Sequence, residues 1–411
     1  MKIVYLTAYF YPEKYAGADI YWTILTELAK EHDVHVIAPQ PSRGVSEETF
    51  QEYRQIETWN GMTLHRFPME REQASTLKRI MRYRKCERWY KKLSQKLGSA
   101  DYVFAASTPP TMGVLAGKIA KKLKARLIYS IQDLFPESLV SSGILRKPKG
   151  FIWWLGRRIE KRTYRNADYI TVISTGFYNN LLAKGVPQDK LVLIPNWVDL
   201  QKVVLVDKHE NTLYGEFGIS HDKFNVVYAG NMGAAQNTKL LIEVAERLKD
   251  EDSIRFVVFG GGIGYADFET AIREKKLENV MLNPLLPQER VSEVYGIGDI
   301  ALIVCKQGVG KTALPSKAWN IMACDTPIIA SFDLDSELVR VLLESKAGVC
   351  VEPDNAQALS DEIVRMSQKP IQVSTRQYIH EYYSKETLLK RYLQLFEKSA
   401  EGSADKEESL K

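Results

Sequence analysis

The stretch Ala313-Leu-Pro-Ser-Lys-Ala-Trp-Asn-Ile-Met-Ala-Cys-Asp-Thr-Pro-Ile-Ile-Ala330 reads as one loop–helix–strand unit. A loop closing on Pro315-Ser316-Lys317 opens a helix. The helix ends near Asp325, and a buried strand follows. The free N–H groups and dipole of a helix N-terminus favour a phosphate. Ser316 adds a hydroxyl donor there and Lys317 a full positive charge. From these residues alone, an ordinary connection with a solvated lysine is an equally good reading.

The same alternation continues in both directions. Towards the N-terminus the spacing predicts strands at 300–304, 279–282, 255–259 and 225–229, separated by helices at 290–297, 266–276 and 237–249. Beyond 330 come a helix at 335–345, a strand near 348–351 and helices at 355–367 and 376–398. A polar stretch at 200–222 precedes this set. Before it lies a second set, with strands at 2–7, 34–38, 102–106, 126–131, 169–173 and 191–194 and amphipathic helices between most of them. Short apolar strands alternating with longer helices predict parallel sheets covered on both faces. The expectation is an α/β chain of two Rossmann-like domains. The first covers 1–200 plus a returning helix at about 376–398. The second covers 201–375, and 399–411 is a disordered tail. Ligands of such sheets bind outside the carboxyl ends of the strands, so two such domains set face to face would share a central cleft.

Composition agrees with a globular chain of this size: 411 residues, 45% hydrophobic and 26% charged. The net charge of +5 hides an asymmetry. Residues 1–199 hold 31 basic and 19 acidic side chains, or +12; residues 200–411 hold 25 and 32, or −7. Such a split suggests that the halves face different partners. The four cysteines show no CxxC pair, which fits a reducing cytosol. No run approaches 18 apolar residues, so no transmembrane helix is expected.

Several motifs fail on inspection. Gly308-Val-Gly-Lys-Thr312 has Cys305 where a P-loop needs its first glycine. Gly260-Gly-Gly-Ile-Gly264 lacks the GxGxxG spacing of a dinucleotide site. The six histidines have no metal-ligand spacing, and no metal is expected. Other loops stay open candidates. Gly230 and Asn231, in Ala229-Gly-Asn-Met-Gly233, follow a strand, as do Gly261 and Gly262; glycine there lets a ligand approach the backbone or simply makes a tight turn. Tyr11 and Gly17 lie in the loop after the first strand, and Ser107 ends another. Asp133 and Glu137, in Gln132-Asp-Leu-Phe-Pro-Glu-Ser138, are carboxylates at the mouth of a strand, either functional or helix-capping.

Taken in order, Tyr11-Pro12…Gly17, Ser107-Thr-Pro109, Asp133-Leu-Phe-Pro-Glu137, Ile194-Pro-Asn-Trp-Val-Asp199, Tyr228-Ala-Gly-Asn231 and Pro315-Ser-Lys317…Met322-Ala-Cys-Asp-Thr-Pro327 resemble glycosyltransferase family 4. Within it they are similar to the bacterial colanic-acid, O-antigen and capsular polysaccharide transferases of the fucosamine transferase group. The resemblance spans residue 2 to about 398. It implies a GT-B fold, a nucleotide-sugar donor (UDP-linked in this reading) and retention of anomeric configuration without a metal or other cofactor. It also implies that the C-terminal helix crosses back to the first domain. Donor contacts carried over are Gly230, Asn231, Gly261, Gly262, Leu285, Ser316, Lys317, Asn320 and Glu337. Acceptor contacts are Tyr11, Gly17, Ser107 and Glu137. Asp133 and Lys317 are the catalytic candidates.

The chain departs from the family pattern. Thr312 and Asn320 stand where many members have a Glu-x7-Glu pair. Asn231 and Gln236 replace the arginine and lysine found after the glycine of the 225–229 strand. The diphosphate's charge then falls to Lys317 first, and to Lys306 or Lys311 second. A degenerate transferase acting as a membrane-associated scaffold is the alternative that these departures motivate.

Two runs concentrate the positive charge. Residues 78–96 hold nine Lys/Arg against one Glu, and residues 146–165 hold eight against one, both interleaved with aromatics. Such runs suit an anionic membrane surface, although a solvated face over a core stripe reads similarly. The aromatics show no RNA-binding arrangement. The expected partners are therefore a nucleotide sugar, a lipid-linked glycan acceptor and the membrane, with no nucleic acid. The expected location is the cytoplasm, peripheral on the inner membrane face.

Overall fold

The computed structural model describes residues 1–13, 17–71, 76–141, 144–311 and 314–408. The chain divides into two compact units. One comprises Met1–Glu137, Lys147–Asn196 and Leu389–Lys411, the other Ser138–Arg146 and Trp197–Leu388.

The first unit is built on eight strands: β1 (Lys2–Leu6), β2 (Asp33–Pro39), β3 (Ile56–Trp59), β4 (Met62–Phe67), β5 (Tyr102–Ala106), β6 (Arg126–Ile131), β7 (Tyr169–Val172) and β8 (Leu191–Leu193). Their order is β3-β4-β2-β1-β5-β6-β7-β8, all parallel except β3 against β4. β5 reads YVFAA and is buried along its whole length, as expected for a strand covered by helices on both faces. The chain leaves β1 first to one side and later to the other, so the switch point lies between β1 and β5.

The second unit has six strands: β9 (Phe224–Asn231), β10 (Ile254–Gly261), β11 (Val280–Pro284), β12 (Ile300–Val304), β13 (Ile328–Ser331) and β14 (Gly348–Val351). Their order is β11-β10-β9-β12-β13-β14, parallel throughout. Its switch point lies between β9 and β12. β12, IALIV, is wholly buried.

Three features differ from the expectation drawn from sequence. β3 and β4 were not anticipated; they form a hairpin around Asn60-Gly61, both with positive φ (46° and 79°). The segment expected as one helix at 376–398 is two, Arg376–Tyr382 and Lys385–Glu408. The first belongs to the second unit. There Asp325 accepts from the Thr375 and Arg376 amides, the Arg376 guanidinium donates to the Leu200, Val203 and Ala323 carbonyls, and Tyr383 stacks on Trp319 at 3.9 Å. Ser384 then restarts the helix by accepting from the Thr387 amide. From Leu389 the helix joins the first unit, where the Phe396 ring meets Phe104 at 5.8 Å and the Phe396 carbonyl accepts from the Tyr102 hydroxyl. This helix also runs into the stretch expected as a tail, where Ala400, Glu401, Ala404 and Lys406 are good helix formers.

Candidate functional site

In the second unit the donor candidates gather where the strands end. Gly230 and Asn231 close β9, Gly261 closes β10, and register pairs Gly260 with Gly230 and Gly261 with Asn231. The two loops are stitched together: the Met232 amide donates to the Gly261 carbonyl (2.6 Å) and the Gly264 amide to the Met232 carbonyl (3.0 Å). Side chains are excluded at two points. Gly262 has φ +96°, and a Cβ there would sit 1.9 Å from Asn231 Oδ1. Gly230 has φ +143°, and its Cβ would sit 2.8 Å from Lys317 Nζ. Leu285, just past β11 and half exposed, lies against Gly261.

Lys317 begins the Lys317–Ala323 helix. With seven residues this helix has a short dipole, and the lysine's own full charge outweighs it. Its Nζ is buried and has no hydrogen-bond partner among the described residues. It lies 4.3 Å from the centroid of the Tyr228 ring, a cation–π contact on the strand that ends at Gly230. Burial pushes the amine down from 10.5 to about 8, with Cys305 pulling weakly the other way. A buried amine without a partner, beside a glycine at a switch point, is a group poised for an anion. Ser316 is exposed and makes no capping bond with its hydroxyl. Asn320 lies one turn beyond Lys317.

A second wall comes from the loops after β12 and β13. Asp333, itself buried, accepts from the amides of Gly308 (2.8 Å) and Gly310 (2.7 Å). Ser336 caps the Glu337–Ser345 helix by accepting from the Val339 amide, and Glu337, its first residue, is 3.9 Å from Arg340. Thr312 lies outside the described residues.

In the first unit the acceptor candidates also sit at carboxyl ends, in two groups. Ser107, after β5, accepts the Gln132 amide at 3.1 Å and so ties its loop to the Asp133 loop after β6. Asp133 lines a small recess with Pro110, Tyr129, Phe135 and Tyr164, and desolvation raises its pKa. Glu137 pairs with Lys184 at 2.8 Å; Lys184 also pairs with buried Glu160, which Arg157 contacts in turn. Glu160 is pushed up by burial, against the pull of Lys184. Tyr11 belongs to a different cluster, stacked on Trp59 at 4.8 Å and edge-on to Trp22. Gly17, at φ +79°, caps the Ala18–Leu28 helix.

Among the described residues no three His, Cys, Asp or Glu side chains converge as metal ligands. No helix among them is long and apolar enough to cross a membrane.

Two family models divide the chain much as the structure does. The glycosyl transferase 4-like domain matches residues 22–197, and glycosyl transferases group 1 matches residues 211–386. The chain belongs to glycosyltransferase family 4. It is 28% identical over 410 residues to the putative colanic acid biosynthesis glycosyl transferase WcaI of Escherichia coli K12, covering 96% of this chain and 99% of that one. Among solved structures, sucrose-phosphate synthase of Thermosynechococcus elongatus superposes with TM-score 0.74 at 16% identity, covering 97% of this chain and 98% of that one. HepE of Anabaena, in complex with UDP and glucose, gives 0.69 at 14%, covering 97% and 100%. The fold of this glycosyltransferase is GT-B.

Two carboxylates that organise the transferase's loops were not singled out from sequence. One is Asp333. The other is Glu13, fully buried after β1, which accepts from the amides of Phe10, Ser42 and Arg43 and so fastens the β1 loop to the β2 loop. Burial raises its pKa, and those bonds together with Arg82 oppose the rise. Asp333 lies in no motif, and Glu13, though inside the Tyr11-Pro12…Gly17 stretch, is not marked by it; apart from Phe10, the amides they hold are distant in sequence, which spacing does not reveal.

Proposed function

We propose that this glycosyltransferase moves a sugar from a UDP-linked donor to a lipid-linked glycan acceptor in bacterial surface-polysaccharide synthesis (capsule, O-antigen or exopolysaccharide), with retention of configuration. The observation that carries the donor half is Lys317 Nζ, buried, partnerless and next to Gly230 at the β9/β12 switch point. In the proposed reaction an acceptor hydroxyl attacks the anomeric carbon from the face that the diphosphate leaves. Charge grows on the diphosphate, and a cation already in place, with loop amides beside it, stabilises that charge without reorganisation. Asp133 is the carboxylate proposed to orient the acceptor or sugar hydroxyls. The names of the relatives support the substrate classes: WcaI is described for colanic acid biosynthesis, and HepE holds UDP and glucose. A buried cation without a hydrogen-bond partner favours an anion-binding donor site over a degenerate scaffold.

The membrane half rests on the Phe151–Asn166 helix. Phe151, Ile152, Trp154 and Leu155 are all exposed on its first turns, followed by Arg157, Arg158, Lys161, Arg162 and Arg165. Apolar side chains beside cations suit the interface of an anionic bilayer. The other basic run, in contrast, turns Cys86 and Tyr90 into the core and packs Trp89 and Leu93 against it. The test of the reading is turnover on a panel of nucleotide sugars with a lipid-linked acceptor. Transfer from a UDP-sugar is expected; no turnover with any donor, together with no rise in Tm on adding UDP, sinks it.

A further inference from the structure

The first unit contains an open concavity of about 940 Å³ that the site described above does not account for. It opens at the carboxyl ends of β2 and β4. Gln40, Pro68, Met69 and Glu70 follow those strands directly, Phe50 forms one side, and Arg84, Lys85, Arg88, Trp89 and Lys92 come from the Thr76–Lys96 helix. The framework is fixed by hydrogen bonds: the Gln40 amide donates to the Phe50 carbonyl (2.6 Å) and accepts from the Met69 amide (3.0 Å). Trp89 is held nearly parallel to Phe67, 7° between planes and 6.1 Å between centroids.

The cations are the unexplained part. Positions 84, 85, 88 and 92 share one stripe of the helix, and like charges four apart oppose helix formation. Among the described residues only Lys85 of these four is ion-paired, with Glu70 at 2.5 Å. The helix's acid, Glu87, pairs with Lys91 instead, outside the cavity. Arg84 and Arg88 are exposed and have no ion-pair partner among the described residues, and Lys92 Nζ stands 5.1 Å from the centroid of the Trp89 ring. A concavity of this volume is ligand-sized.

We propose that this cavity binds an oxyanion carried by the acceptor, a phosphate or a sugar carboxylate. Arg84, Arg88 and Lys92 pair the anion, and Trp89 and Phe50 flank the group attached to it. Paired guanidinium groups match such oxyanions bidentately. The inference rests on the reading that the first unit takes the acceptor, and it names the chemistry by which it does so.

The test is calorimetric titration of the full chain, saturated with UDP so that the donor site is filled. Titrants are inorganic pyrophosphate, glucuronate and glucose, against wild type, the Arg84→Gln/Arg88→Gln double variant and Lys91→Gln as a control on the same helix. Saturable binding of pyrophosphate or glucuronate is expected, with glucose silent. The double variant should weaken that binding at least about tenfold, the loss of one or more charge-assisted bonds, and Lys91→Gln should leave it unchanged. Pyrophosphate alone binding assigns a phosphate, and glucuronate alone a carboxylate. Neither anion binding, or equal binding by the double variant, overturns the proposal. UDP affinity, measured first, reports separately on the donor reading.

Discussion

At the scale of single residues, the proposed donor site turns on Lys317. Its folded pKa of about 8 lies below the 10.5 of the free side chain, so the unfolded chain binds more protons between those values. Stability of the ligand-free protein should therefore climb as pH rises from about 8 to 10.5, and the penalty is fully present below about 8. Lys317→Met removes a buried, uncompensated charge. It should raise Tm at neutral pH, by up to ~3 kcal/mol of stability, while transfer falls by two orders of magnitude or about that. A structural lysine would lose both together. Binding UDP at pH 8.5 should draw a proton onto the wild-type amine and none onto the variant, seen as a buffer-dependent heat. Lys184 behaves oppositely. It serves Glu137 and buried Glu160, so Lys184→Met leaves Glu137 without its cation and Glu160 with Arg157 alone, and should cost about 3 kcal/mol by chemical denaturation. Lys317 was legible from the Pro-Ser-Lys context. Its missing partner was not, because that is a property of packing.

At the scale of elements, the candidate sites lie on pairs of strand-end loops locked to one another. Gly262→Ala tests this: the methyl group must displace Asn231 and adopt a positive φ. The expected result is a loss of about 1–3 kcal/mol in stability and weaker UDP binding by titration, whereas Gly98→Ala, also at positive φ but in open space and far along the chain, should leave UDP affinity untouched. The strands buried on both faces, β5 and β12, declare themselves as apolar runs, and their alternation with helices gives the architecture directly. The β3–β4 hairpin also carried a readable signal, Asn60-Gly61 between alternating strands, but it interrupts the βα rhythm and is easily passed over. The loop-fastening carboxylates Glu13 and Asp333 carried none, since the amides by which they join separate loops lie 23 to 30 residues away in sequence.

For the whole molecule, the opposite charges of the two halves, +12 and −7, correspond to different proposed tasks. In this proposal the basic unit takes an anionic acceptor at the membrane. In the same proposal the acidic unit would hold an anionic donor against its own field, and one buried cation would offset that field. The membrane task is checked by sedimentation with phosphatidylglycerol vesicles. Wild type should pellet at low salt and less at high salt, and Ile152→Glu/Trp154→Glu, at exposed positions, should stay in solution; failure of wild type to pellet at any salt contradicts it. The central claim is more direct. A crystal structure with UDP should show a diphosphate oxygen about 2.7–2.9 Å from Lys317 Nζ, beside Gly230 and Gly262. A nucleotide bound elsewhere, or one that leaves Lys317 facing Tyr228 without contact, contradicts that claim.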